Sequence, residues 1–135
     1  MKHFKMYELV DEDVYNIHGE GSERFFDPRL LIAIDKLREE LKKPITINTW
    51  KHGGRFSQRG LRHNMSHIVK NKKRIYLSGH VLGKAVDFDV KGMSSEEVRQ
   101  WIKDNDIFDF GIRLEKDVNW VHLDVATASN DIVMF

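Results

Sequence analysis

The stretch from Ser78 to Val90 constrains this chain more than any other, because it joins a histidine set between two glycines to a strand with acidic side chains on one face. From Ala85 onward the residues alternate, with Val86, Phe88 and Val90 on one side and Ala85, Asp87 and Asp89 on the other. A period of two is what a strand shows when one of its faces meets a core. Asp87 therefore leaves the opposite face. Gly79 and Gly83 permit backbone angles that a residue with a Cβ resists, so the loop they bracket can fold back and bring His80 beside Asp87. Imidazole and carboxylate are both ordinary zinc ligands, and a catalytic zinc site needs a third from the protein.

Asn119 to Val125 supplies the candidate. Val121, Leu123 and Val125 make an apolar face, while Trp120, His122 and Asp124 share the other. His80 with Asp87 alone reads equally as a structural hydrogen-bonded pair. Adding His122, on a second strand of the same pattern, turns the reading toward a metal.

Ser78-Gly79-His80-x-x-Gly83-x-Ala85-x-Asp87-Phe88, followed some thirty-five residues later by Trp120-Val121-His122, resembles the signature of the zinc D-alanyl-D-alanine peptidases. That group shares a fold with the hedgehog signalling domain, and many phage cell-wall lysins belong to it. The likeness covers Pro44 to about Val125 in order and spacing. It implies an α+β fold, a small single domain with an antiparallel sheet and helices packed on one side, in which His80, Asp87 and His122 hold Zn2+. It also implies an endolysin-like activity on peptidoglycan peptides that contain D-alanine. One departure stands out: several members carry an acidic residue three positions before the last histidine, and this chain has Asn119 there.

With 135 residues the chain is expected to be one domain, long enough to bury about two-thirds of the surface its unfolded form exposes. There is no cysteine, so any zinc is held by nitrogen and oxygen. Charges nearly cancel, at +1 with 32% of residues charged, which argues against a broad basic nucleic-acid surface. No apolar run approaches a membrane span, and the first residues have no apolar core of signal-peptide length. The expectation is a monomer made in the cytoplasm, partnered by neither nucleic acid nor membrane, and released to the cell wall by a separate export or lysis factor.

Residues 1–26 follow neither a strand nor a helix period and read as an extended N-terminal arm with room for one short turn, His18 being a solvated loop histidine. Asp27-Pro28 opens a helix with a cap and a proline at its first position. Leu30, Leu31, Ile34, Leu37 and Leu41 form its core stripe, and Lys42, Lys43 and Pro44 end it. Ile45 to Trp50 reads as a strand. Lys51 to Lys73 has too few apolar residues for a core element and is expected to bind substrate. In the resembling peptidases the corresponding stretch carries an arginine that grips the substrate carboxylate. Arg62 is the first candidate and Arg55 the second, with Gln58 beside them. A planar guanidinium takes a carboxylate by two parallel hydrogen bonds, which lysine cannot do; the bland reading of either arginine is a solvated loop residue. His52, His63 and His67 fit no compact ligand pair, so no second metal site is expected. Lys70 to Arg74 is a basic run that reads as a solvated loop.

Ser94 with Glu97 is a capping box, opening a helix to about Asp104 with Val98, Trp101 and Ile102 buried. Phe110 to Glu115 alternates as another strand. If it pairs with Trp120 to Val125 across a loop of residues 116–119, Glu115 faces Trp120 and Arg113 faces His122. Glu115 then lies diagonal to the ligand, within reach of a metal-activated water as general base. Asp117 and Asp124 are the substitutes, and pairing of Glu115 with Arg113 or Lys116 is the non-catalytic reading. Two further functions compete with the peptidase: a catalytically silent zinc-containing module that binds cell wall or protein, and a metal-free domain that binds anionic polymer through Lys70 to Arg74.

Overall fold

The fold is described from a computed structural model covering residues 1–135. Its first residues are not an extended arm. A 3-10 turn at Met6–Glu8, helix α1 at Glu12–His18 and a second 3-10 segment at Gly19–Phe25 occupy them. Asp11 caps α1 by accepting from the Val14 N–H at 3.0 Å. Phe4, Met6, Leu9 and Val10 are buried in the main core. These apolar residues show no single period because successive short turns rather than one element carry them. His18 ends α1, where its Nδ1 accepts from Arg24 at 3.0 Å.

Helix α2, Pro28–Leu41, forms as the sequence dictates. Asp27 accepts from the Arg29 N–H at 2.9 Å, Pro28 sits in the first turn, and Lys42 closes the helix in a left-handed conformation. Leu30, Leu31, Ala33, Ile34, Leu37 and Leu41 are its buried stripe. Helix α3, Ser95–Asn105, starts from the expected box, with Ser94 accepting from the Glu97 N–H at 3.1 Å. Val98 and Ile102 are buried, and Trp101 packs partly buried against the same core. No helix is long and apolar enough to cross a membrane.

Five strands make one mixed sheet in the order β1-β2-β4-β3-β5. They are β1 (Ile45–Thr46), β2 (Ala85–Val90), β3 (Ile112–Leu114), β4 (Val121–Asp124) and β5 (Ile132–Met134). The α+β class holds, and β1, β2, β4 and β3 pair antiparallel. The sheet is not wholly antiparallel, since β5 returns to the edge and pairs with β3 in parallel. β1 is shorter than the alternation from Ile45 to Trp50 suggests. Beyond Thr46 the chain turns inward, Trp50–His52 forms a 3-10 turn, and the Arg59 carbonyl instead accepts the Asp87 N–H at 2.7 Å.

The β3–β4 hairpin differs from expectation by two residues. Arg113 pairs with Asp124 and Leu114 with Leu123, and the Glu115 N–H donates to the His122 carbonyl at 3.3 Å. The cause lies in α3. Arg99, buried to 3% exposure, donates to the carbonyls of Glu115, Val118 and Trp120, propping open a wider loop than the four residues expected. An offset of two leaves every side chain on its original face. Val86, Phe88, Leu123 and Leu114 therefore still join the core with α2 and α3. Asp87, His122, Asp124 and Arg113 emerge on the other side.

Candidate metal centre

Three elements converge on that other side. β2 and β4 pair so that Asp87 stands directly opposite His122, and opposed residues of an antiparallel pair share a face. His80 comes from the loop before β2. Of its two flanking glycines, only Gly83 takes a left-handed angle, φ +68°, and a Cβ there would lie 2.1 Å from the Phe25 carbonyl oxygen. Gly79 serves by smallness instead, because a Cβ would meet the Ala85 Cβ at 2.8 Å.

The three side chains are buried, and one ligand atom from each lies within 4.8 Å of the others. His80 Nε2 is 3.2 Å from Asp87 Oδ2, and His122 Nδ1 is 2.8 Å from Asp87 Oδ1. The remaining ring nitrogens are held from behind. His80 Nδ1–H donates to the Gly60 carbonyl at 2.9 Å, and His122 Nε2–H donates to Asp124 Oδ2 at 2.8 Å. Asp124, fully buried, is itself gripped by Arg113 Nε and Nη2 at 2.8 and 2.9 Å. An imidazole whose far nitrogen donates to an oxygen is fixed in ring orientation, and a metal that displaces the proton of the near nitrogen meets a lone pair aimed into the cluster. Two such imidazoles and a carboxylate are the donor set of an open zinc site, so the residues fit the ion.

The electrostatics favour positive charge here. Burial alone would raise the Asp87 carboxyl, but hydrogen bonds from His122 and His80 outweigh it and hold it well below the usual carboxylate range. Burial would likewise lower the His122 imidazolium, yet its bonds to Asp124 and Asp87 push it up to about 9. Asp124 is lowered despite burial by its bonds from His122, Arg113 and the Ala126 N–H.

The other candidates divide. Arg62 reaches the cluster: its Nη2 lies 3.6 Å from Asp87 Oδ2, its backbone N–H donates to the His80 carbonyl at 3.2 Å, and Nε and Nη1 donate to the Gln58 carbonyl and the Tyr76 hydroxyl. Gln58 is buried but turned toward Asp11, with Nε2 at 3.3 Å from Oδ2. Arg55 is exposed and stacks over Phe56 at 4.9 Å. Glu115 is half-buried opposite His122, and Arg113, one of the partners considered for it, is engaged by Asp124 instead. Asp117 lies exposed on the turn at φ +63°.

Two features escaped the sequence reading. Arg113 and Asp124 act as a unit behind His122; their alternation showed a shared face but not the offset that makes them opposite. Asp11, Asp13 and His63 form a second cluster within 4.8 Å, a partnership between the N-terminal segment and the loop that spacing among loop histidines cannot show. There His63 Nδ1 accepts from the Met65 N–H at 3.1 Å, so the hydrogen is on Nε2 and points to Asp11 at 2.7 Å. With Nδ1 accepting and Nε2–H donating, neither ring nitrogen is free, and His63 pins the loop to the cap of α1.

A family model described as Peptidase M15 matches residues 2–124. No curated protein and no solved structure matches the chain.

Proposed function

The chain belongs to the peptidase M15 family of metallopeptidases, and on that premise we propose that it is a zinc-dependent peptidase cutting D-alanine-containing peptides of peptidoglycan. The observation that carries the reading is the convergence of His80, Asp87 and His122 within 4.8 Å, with both rings oriented from behind.

His80 Nε2, an Asp87 oxygen and His122 Nδ1 are the proposed ligands. Zinc bound there supplies a Lewis acid that polarises a peptide carbonyl and acidifies water. Gly60 and Asp124 keep the two imidazoles aimed, and Arg113 keeps Asp124 ionised and in place. Arg62 holds the substrate's carboxylate beside Asp87. Glu115 is the proposed general base, since it shares the His122 face and carries no ion pair, whereas both Asp124 oxygens are committed. Water gives its proton to Glu115, its oxygen bonds to the carbonyl carbon, and the proton passes to the departing amine as the C–N bond breaks. The likeness of the motifs to D-alanyl-D-alanine peptidases supports the substrate class.

Asn119, where several related peptidases have an acid, favours a second reading: a zinc-holding module that binds wall peptide without cutting it. Zinc content and release of peptides from purified cell walls, measured on one preparation before and after chelation, separate the two. Stoichiometric zinc with chelator-sensitive cleavage supports the peptidase. Full zinc with no cleavage supports the silent module.

A further inference from the structure

From Leu41 to Val86 the chain has no aspartate or glutamate, yet half of its 22 lysines and arginines fall in that interval. The near-zero net charge conceals this separation. Within the interval Lys70, Lys72, Lys73 and Arg74 fall in five residues, all exposed and none in an ion pair, whereas Arg59, Arg62 and Lys84 pair with acids from elsewhere.

The chain that follows bends at Lys73 and Arg74 and from Ile75 to Leu77 belongs to no helix, strand or turn. No N–H or C=O from Lys73 to Leu77 has a hydrogen-bond partner in the protein. Alternation persists without a sheet: Ile75 and Leu77 point outward at 87% and 71% exposure, while Tyr76 points inward and accepts from Arg62 Nη1 at 3.0 Å. Lys72 Nζ lies 5.0 Å from the Tyr76 ring. Arg62 in turn faces Asp87, and the segment continues through Ser78 and Gly79 into His80. A stretch of unpaired backbone thus leads to the candidate metal centre and is tied to it by one tyrosine.

We propose that Lys73–Leu77 docks an extended, carboxylate-bearing peptide by strand addition, holding the part of the substrate remote from the bond that is cut; this rests on the peptidase reading. Unpaired backbone N–H and C=O groups are what an added peptide strand satisfies. Ile75 and Leu77 offer alternate apolar contacts, and the adjacent cations meet carboxylates. A bilayer would use the same cations and aliphatics, but burying the free backbone groups in lipid leaves them unsatisfied. A polyphosphate would use the cations alone.

The test is hydrogen exchange on the zinc-loaded full chain with stem peptide isolated from cell walls, its carboxylates free or amidated. Binding of the free peptide slows amide exchange within Lys73–Leu77 by about tenfold or more. Amidation of the peptide, or the double variant Lys73→Glu/Arg74→Glu, weakens binding about tenfold while zinc content stays constant. Unchanged exchange across the segment, whether or not the peptide is cut, overturns the proposal. So does equal slowing by inorganic polyphosphate, which identifies an anion surface only. Slowed exchange with no cleavage of any wall peptide defeats the peptidase reading and leaves the docking edge standing.

Discussion

Arg113 and Asp124 face each other across β3 and β4 and are joined by two hydrogen bonds, at 2.8 and 2.9 Å, the second oxygen of Asp124 also receiving His122 Nε2–H. A guanidinium that occupies both oxygens keeps the carboxylate ionised in a site that is otherwise fully buried. The pair thereby holds the hydrogen on Nε2 of His122, leaving Nδ1, which faces Asp87, as the nitrogen a metal would take on displacing its proton.

Replacing Asp124 by asparagine keeps the shape of the side chain and removes the charge that fixes His122. Zinc affinity should fall by about 10- to 100-fold, the usual effect of losing such a supporting partner. Competition with a chromophoric chelator measures it. An unchanged affinity would mean that His122 is oriented by something else.

Glu115→Gln separates catalysis from metal binding. Hydrolysis of wall peptides should drop by about 100-fold or more with zinc content at the wild-type level, whereas Asp117→Asn, on the exposed turn, should leave the rate within about twofold. If the asparagine variant at residue 117 is the slow one, the base has been misassigned.

Acid sensitivity has a definite source at α2. Hydrogen bonds from the Arg29 side chain, aided by its backbone N–H and by Lys84, outweigh burial and hold Asp27 below the usual carboxylate range. A group whose folded pKa is depressed adds stability that is full above its unfolded value of about 4 and vanishes as pH falls through the folded one. Asp27→Asn keeps a capping oxygen and loses the charge. It should therefore be less stable than wild type near pH 7 by up to about 1 kcal/mol, because Arg29 is 40% exposed and solvent screens the pair. The two proteins should converge in acid, once the pH has fallen through the lowered folded value of Asp27. Urea unfolding at neutral and acid pH tests this, and a constant difference would rule the ion pair out.

Phe88 is fully buried on the core face of β2, one residue beyond Asp87. Phe88→Ala should cost about 3–5 kcal/mol through lost burial and the cavity left behind. Because the strand also carries a ligand, thermal unfolding of the zinc-loaded protein should lose more than the neighbouring surface variant Asp89→Ala. Equal losses would mean that β2 is not the centre of the core.

Much of the site was legible because ligand chemistry and strand period are local. Asp87 and His122 each sit at a polar position of an alternating run, and two glycines mark the turn that carries His80. Arg62, the first candidate for the substrate arginine that the resemblance implies, reaches the cluster through Asp87. Gln58 and Arg55 were not separable from it by sequence, since the loop's path is decided by contacts such as Gln58 with Asp11 and the Leu61 N–H with the Leu9 carbonyl.

The N-terminal segment and the hairpin offset show where local pattern runs out. Met6, Leu9 and Val10 are core residues on short 3-10 turns, whose identity comes from what they pack against. Alternation by itself determined that Asp87, His122, Asp124 and Arg113 lie on one face, because a strand repeats every two residues. It could not determine who stands opposite whom, since sliding a pair by two residues preserves every face. That choice was made by Arg99 filling the loop and Arg113 closing on Asp124, contacts that exist only once helix and sheet are packed together.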